Sequence, residues 1–264
     1  MSINKTMASL EASFKNRQNK QEEKPLEKPK ERPIGKHSKG LNVTMSNALI
    51  SATHSLNLNE RRIVYLAMTK LKGGNEVSLN AKDFAETFGV NETNAYNMIK
   101  EACNNLFERE IQFNDGRRKG RARWVQEAHY YEGEGWATLK FTDVVRANIK
   151  GLETQYTKYS LEQAGNLKSV YSWRFLERFI QYGDAKKKYK GWWELSIIEL
   201  CEFLELSEFY LEWRQLNQKI IKPSIKELDE KDGWQVEVKP IKTGRKTTHV
   251  RFNFKQNPQG RLEF

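Results

Sequence analysis

From Arg214 to Lys226 the chain sets Arg214, Gln215, Gln218, Lys219, Lys222 and Lys226 among apolar residues, with no carboxylate until Glu227, Asp229 and Glu230. Cationic and amide side chains of this kind do recognition chemistry rather than bond-making. An arginine fork can hydrogen-bond O6 and N7 of guanine together, or grip phosphate, and lysines neutralise phosphates. Trp213, Leu216, Ile220, Ile221, Ile225 and Leu228 supply the buried side of the same stretch. Every surface helix has a polar face, but few carry cations early and acids only at the far end. That asymmetry suits a helix whose N-terminal part meets an anionic partner. Pro223 lacks an N–H and is expected to kink or loosen the helix.

A second set lies upstream. Thr93, Asn94, Tyr96, Asn97 and Lys100 fall opposite an apolar stripe, Ala95, Ile99, Ala102 and Leu106. Asn can read adenine, while Thr, Tyr and Lys can hold phosphates. Two turns between candidate strands are also basic. One carries Arg117, Arg118, Lys119, Arg121 and Arg123, the other Lys242, Arg245, Lys246, Thr247 and Thr248. Basic hairpin tips fit phosphate or minor-groove contact.

No catalytic constellation stands beside these. There is no G-x-x-x-x-G-K-[ST] phosphate loop. The histidines His37, His54, His129 and His249 are scattered, without metal-ligand spacing. A rolling-circle nicking enzyme needs two close histidines and a nucleophilic tyrosine; Tyr130 and Tyr131 follow His129, but no second histidine is near. Cys103 and Cys201 read as small core residues. No enzyme activity, cofactor or metal is expected.

The 264 residues carry 45 Lys and Arg against 34 Asp and Glu, a formal charge of +11. This favours an anionic partner, most simply nucleic acid. The longest apolar run, Ile63–Met68, is far short of the ~20 residues that span a bilayer, and the N-terminus lacks a secretory apolar region. Two cysteines cannot make a disulfide framework, and the N-x-T triplets at Asn4, Asn42 and Asn91 are chance matches. The reading is a soluble, cytoplasmic protein with no membrane partner. Residues 1–40 are rich in lysine and carry Pro25, Pro29 and Pro33 with one aromatic, Phe14. They cannot bury enough apolar surface to offset ordering, so a disordered basic arm is expected.

The positioning elements recur. The first set is a helix over 60–71, a strand over 76–79, a helix to Phe88, a turn at 89–91 and a helix over 92–107. Strands near 111–113, 123–131 and 136–141 follow, the first two joined by the basic turn 114–120. The second set is a helix over 170–182, a strand over 192–196, a helix over 197–204, a long helix over 210–231, and strands over 234–241 and 249–254. At a constant offset of 116, Val77 pairs with Trp193, Leu79 with Leu195, Asn80 with Ser196, Asp83 with Glu199, Phe84 with Leu200 and Val90 with Leu206. Apolar meets apolar and cap meets cap; Ser196-x-x-Glu199 reads as a capping box. The pattern is an internal duplication of a helix-turn-helix with a β-wing: an α+β chain of two tandem winged-helix domains. The helix after each turn is then the one that enters a major groove, with the wing beside it.

Several segments together resemble the iteron-binding plasmid replication initiators. They are Ser46–Ile50 with Leu56–Arg62, Tyr171–Glu177, Gly191–Ser196, Lys222–Leu228 and Gly244–Phe252. The resemblance covers about residues 44–254. It implies a protein that binds repeated origin sites on double-stranded plasmid DNA as a monomer. It further implies melting of adjacent A·T-rich DNA, recruitment of host DnaA, the replicative helicase and chaperones, and repression of its own promoter as a dimer. It implies dimerisation through the N-terminal domain and dominant sequence reading by the C-terminal one, on Arg214 to Lys226. The expected organisation is an arm at 1–42, winged-helix domains at 43–150 and 151–256, and a tail at 257–264. A tandem winged-helix transcriptional regulator without origin function is the competing expectation; a nicking enzyme is the weakest.

Overall fold

The computed structural model describes residues 40–114, 119–149, 152 and 155–257. The arm up to residue 39, the tail after 257, and Arg117 and Arg118 lie outside the described residues.

The first half runs β1 (Asn42–Ser46), α1 (Asn47–Ser51), β2 (Thr53–His54), α2 (Leu58–Lys70), β3 (Glu76–Asn80), α3 (Ala81–Phe88) and α4 (Glu92–Leu106). It continues with β4 (Glu110–Asn114), β5 (Lys119–Arg123), β6 (Val125–Tyr131), β7 (Trp136–Phe141) and α5 (Asp143–Ala147). Then come β8 (Tyr156–Ser160), α6 (Leu161–Gly165), α7 (Val170–Tyr182), β9 (Gly191–Ser196) and α8 (Ile197–Leu204). A long helix, α9, is built from an α-helical start Trp213–Leu216, a π segment Asn217–Ile221 and an α-helical remainder Lys222–Asp232. The hairpin β10 (Trp234–Thr243) and β11 (Lys246–Gln256) closes the fold.

Local chemistry fixes these starts. Asn57 Oδ1 accepts from Glu60 N–H at 2.9 Å while Glu60 accepts from Asn57 N–H at 3.1 Å, a reciprocal cap on α2. Ser196 and Glu199 make the same pair on α8, at 3.1 and 2.8 Å, and Asn80 caps α3 through Lys82 N–H at 2.8 Å. The helix α3 ends on Gly89 at φ 62° and α8 on Glu205 at φ 56°. These positions are again 116 apart. Glycine takes the left-handed region freely, whereas glutamate adopts it at some steric cost.

The sheets bear out two winged-helix units and an internal duplication. One sheet has the order β3-β7-β6 and the other β10-β11-β9, so β3 corresponds to β9, β7 to β11 and β6 to β10. In the first unit the wing differs from the sequence expectation. The strand expected over 123–131 is broken at Trp124, which is fully buried and whose N–H and C=O bond Arg109 and Thr142 instead of a ladder. The part before it, β5, pairs with β4 and leaves the wing; β2, β4 and β5 form a separate sheet. The wing is therefore β6–β7, turning through Glu132, Gly133 and Glu134, with Gly133 and Gly135 at φ 73° and 70°.

Two strands, β1 and β8, are not among the elements expected from sequence. The strand β1 pairs antiparallel with β8, from Asn42 opposite Ser160 to Ser46 opposite Tyr156. This ladder joins residues on both sides of the 150/151 boundary expected from sequence. The buried apolar side chains form one continuous cluster through both units.

Between the units lies a buried polar network. Arg61 of α2 donates to both carboxylate oxygens of Glu177 on α7, at 3.2 Å each, and to Tyr65 Oη at 2.9 Å. Tyr159 of β8 donates to Glu177 at 2.9 Å, and Trp173 Nε1 donates to Tyr159 at 3.0 Å. Arg174 donates to the carbonyls of Ile50 and Ala52, each at 3.1 Å, and to Phe203 O at 2.9 Å. Glu177 is 0% and Arg61 1% exposed. Removing one partner of such a pair leaves a buried charge uncompensated. Glu177→Ala is expected to lower the unfolding free energy by about 3–5 kcal/mol in urea titration, and the double change Arg61→Met, Glu177→Leu by less. A single-variant loss below about 1 kcal/mol would mean that the pair behaves as an exposed one.

Candidate nucleic-acid interface

The helix α9 presents two faces. Leu216, Ile220, Ile221, Ser224 and Leu228 are buried, with Trp213 and Ile225 half-buried. Arg214, Gln218, Lys219, Lys222 and Lys226 are exposed, and Gln215 is half-buried. Lys219 stands over the Phe209 ring at 4.9 Å, and Lys226 pairs with Glu230 at 3.6 Å. Among the described residues the side chains of Arg214, Gln218 and Lys222 carry no hydrogen bond or ion pair.

The carboxylates at the far end anchor this helix. Glu227 accepts the backbone N–H groups of Lys168, at 2.6 Å, and Ser169, at 3.3 Å, just ahead of α7. Asp232 accepts from Trp234 Nε1 at 2.7 Å, from Gln256 at 2.9 Å and from Gln163. Gly233, at φ 68°, ends the helix. The acids that look in sequence like one end of a charge gradient are thus partly structural, and they fix the direction in which the cationic end projects.

The wing beside α9 turns at Gly244, φ 64°, with Lys242, Arg245 and Lys246 exposed around it. Thr247, expected among the contact residues, is 9% exposed and lies with the core. The reason is a β-bulge: the register slips between Ile241 and Lys242, leaving Thr248 as the extra residue, so Thr247 falls on the same face as Val250, Phe252 and Phe254. Between α9 and β10 runs a groove of about 620 Å³ lined by Trp213, Asn217, Lys222, Lys226, Val238 and Pro240. Trp213 and Asn217 are not among the contact residues expected from sequence. Their signal is the strand-facing side of the same helix.

The first unit differs in charge. Thr93, Asn94 and Asn97 are exposed on α4. Lys100 is bound to the wing tip, pairing with Glu132 at 2.9 Å and lying 5.4 Å from the Tyr130 ring centre. The Glu132 bond holds the Lys100 ammonium above its usual range. Tyr96 Oη accepts Gly133 N–H at 3.1 Å, so helix and tip are pinned together. This wing tip is acidic, through Glu132 and Glu134. The basic residues expected there belong to the separate β4–β5 hairpin, where Lys119 and Arg121 are exposed and Arg121 meets Glu110 at 3.3 Å. Arg117 and Arg118 of that turn are outside the described residues.

Both cysteines are buried; burial pushes the Cys103 thiol up to about 12 and Cys201 up to about 11, away from the thiolate form. Among the described residues no group of three or more His, Cys, Asp or Glu is placed to hold a metal. No described helix is long and apolar enough to cross a membrane.

Two winged helices in tandem, each with its hairpin beside the helix after the turn, define a class of DNA-binding proteins. Comparison with known proteins gives the family. Residues 42–180 match the initiator replication protein family's first winged-helix model, and residues 196–254 match the initiator Rep protein second winged-helix model. The chain belongs to this family of replication initiators. It is similar to a replication initiation protein of Escherichia coli, 24% identical over 227 residues, covering 82% of this chain and 70% of the relative. An uncharacterized 27.6 kDa protein of Escherichia coli is 24% identical over 213 residues, covering 74% and 87%. The crystal structure of Pi initiator protein in complex with iteron DNA superposes with a TM-score of 0.70 at 20% identity, covering 82% of this chain and 98% of that one. At that identity the likeness speaks for the fold.

The two wings differ enough to be told apart by salt titration of DNA binding. Alanine at Lys242, Arg245 and Lys246 together is expected to flatten log K against log salt by about 0.9 for each phosphate the protein no longer neutralises. Lys100→Ala, whose charge already meets Glu132, is expected to leave the slope unchanged.

Proposed function

We propose that this initiator binds directly repeated sites (iterons) in a plasmid origin, chiefly through α9 and the β10–β11 wing. The observation that carries the reading is the pairing of an exposed, largely unpartnered face on α9 with a basic wing tip on the same unit. The groove between helix and wing carries Lys222 and Lys226 with Asp229 beyond them, so a phosphate strand would meet it at the two ammonium groups and not at the Asp229 end. Arg214, near the start of α9, is on this reading the base-reading residue, since N-terminal residues of such helices meet base edges. Thr93, Asn94 and Asn97 of α4 give a second, weaker contact with a neighbouring part of the duplex; Lys119 and Arg121, with Arg117 and Arg118, add phosphate contacts from the β4–β5 hairpin.

On this reading the monomer bound to repeats promotes melting of adjacent A·T-rich DNA and brings in host DnaA and the replicative helicase. A dimer, in equilibrium with the monomer and shifted by chaperones, represses the protein's own promoter. The resemblance to iteron-binding initiators supports these steps.

Footprinting on the plasmid's own origin tests the reading. Protection of several direct repeats beside an A·T-rich segment is expected. Protection of a promoter palindrome alone would favour a regulator without origin function. Arg214→Ala is expected to weaken specific binding by about 1–3 kcal/mol, with relaxed preference at one base pair; unchanged binding would remove Arg214 from the reading face.

A further inference from the structure

The long helix α9 contains an irregularity that a DNA-reading role does not by itself require. Its backbone stays right-handed at Leu216, Asn217, Ile221 and Lys222, yet Lys222 donates its N–H to Asn217 O, five residues back rather than four. One extra residue is wound into this turn. Pro223 follows at once. In a regular helix its ring would strike the carbonyl of Lys219, which it also cannot satisfy. A wider turn relieves both conflicts.

The rotational consequence is larger than the local one. Residues four apart in an α-helix drift about 40° per step, so three steps carry them about 120° around the axis. An inserted residue sets the second half back by about 100°, leaving a net drift of about 20° across the π segment. Burial provides an independent check. Leu216, Ile220, Ser224 and Leu228, each four apart, are all buried, at 0, 4, 2 and 0% exposure. A strict four-residue period would leave the core face of a straight helix over that length; across the π segment it stays. Opposite this inner seam stand Arg214, Gln218, Lys222 and Lys226, again four apart and all exposed. Gln215 and Lys219 fall about 100° to the side, and Lys219 lies on the Phe209 ring.

We propose that the π segment is a register device that straightens Arg214, Gln218, Lys222 and Lys226 into one seam, and that this seam is the edge laid into the DNA groove. The proposal rests on the DNA-binding reading above and narrows it. Arg214 and Gln218 are separated by about 6 Å along the axis, close to two base-pair steps of about 3.4 Å. Arginine suits guanine O6 and N7, and glutamine suits adenine N6 and N7. Lys222 and Lys226, beside the groove against β10, meet phosphates. Gln215 and Lys219 are outside the reading edge.

Two measurements on the full chain decide it. The first is a pair of one-residue deletions followed by thermal unfolding. Deleting Lys219 turns the π segment into regular helix and keeps both seams aligned, so the unfolding midpoint stays close to the parent's; Lys219→Ala isolates the effect of removing the ammonium from the Phe209 ring. Deleting Asp229, in regular α-helix, swings the Asp232 anchor by about 100° and lowers the midpoint sharply. Equal damage from the two deletions would overturn the register device. The second is competition binding with duplexes copied from a footprinted repeat, each changed at one base pair. Arg214→Ala and Gln218→Ala each lose roughly tenfold discrimination or more, at positions two steps apart, while Lys222→Ala and Lys226→Ala weaken all duplexes alike and Gln215→Ala changes nothing. Discrimination lost with Gln215→Ala but kept with Gln218→Ala, or full affinity in Lys226→Ala, would overturn the seam. Absence of any site selection by the unsubstituted protein would overturn the origin-binding reading instead, and the deletion pair would still decide the register.

Discussion

The arrangement of the two winged helices depends on the buried pair of Arg61 and Glu177. Neither residue belongs to a helix that faces the candidate interface, yet between them they connect α2 of the first unit with α7, on which the second is built. Desolvating two such charges is costly, and the cost is offset only when each finds further partners. Glu177 has Arg61 and Tyr159; Arg61 has Glu177 and Tyr65. Burial, with Arg61 close by, pushes the Arg174 guanidinium down to about 10, still protonated at neutral pH. It holds carbonyls from α1, from Ala52 beyond it and from α8, which ties the core of one unit to the helix-turn-helix of the other. An apolar contact would tolerate sliding. A network of directional bonds in low dielectric does not, so the two units are held in one register.

The duplicated units have diverged where function would act and not where folding is decided. Capping, strand order and the left-handed end of the first helix in the turn are common to both, down to the offset of 116. The wing tips are opposite in charge. In the first unit Glu132 neutralises Lys100 and Gly133 bonds Tyr96, so helix and wing are closed on one another. In the second, Lys242, Arg245 and Lys246 are exposed to solvent. A surface already satisfied internally gains little from phosphate, and one left unpaired gains more. The division of labour proposed for the two units would follow from that difference.

Much of this fold is legible in the sequence because its signals are local. The caps at Asn57, Asn80 and Ser196, the apolar stripe of α4 and the offset of Val77 to Trp193 all act within a few residues, and sequence periodicity carries them. Non-local features leave less trace. Strand β1 lies more than a hundred residues from β8; Asn42-Val43-Thr44-Met45-Ser46 alternates as a strand does, but five residues cannot name a partner at that separation. The first wing is misplaced from sequence because strand-like runs flank the turn at 114–120 and the second runs unbroken past residue 124. Only the burial of Trp124, a tertiary fact, divides them into a hairpin that leaves the wing and a strand that forms it. Pro223 announces that the helix will kink or loosen, and the chain takes the second course, a π segment. The clue is in the spacing: a four-residue period on both faces fits neither a regular helix nor a coiled coil.

The formal charge of +11 points to an anionic partner but cannot place it, because many of the arginines serve the fold. Arg62 donates to the carbonyls of Gly165 and Leu167, Arg109 forks onto Glu60, and Arg178 bonds Ser51 and Gln181. With Arg61 and Arg174 they form a band of guanidinium groups whose hydrogen bonds face inward. Guanidinium suits this role because it is planar, weakly hydrated and always charged, and so can join several acceptors at a buried junction. Their charge still contributes to the long-range field, but their hydrogen-bonding capacity is largely committed within the protein. The cations able to meet a phosphate are mostly lysines, with Arg214 and Arg245 as the exceptions in the second unit, on α9 and its wing. Lysine holds phosphate as a point charge without fixing geometry, whereas arginine adds a directed fork. On the reading proposed above, the lysines would set how strongly the second unit holds a duplex, while Arg214, with the Gln218 amide, would make that strength depend on sequence.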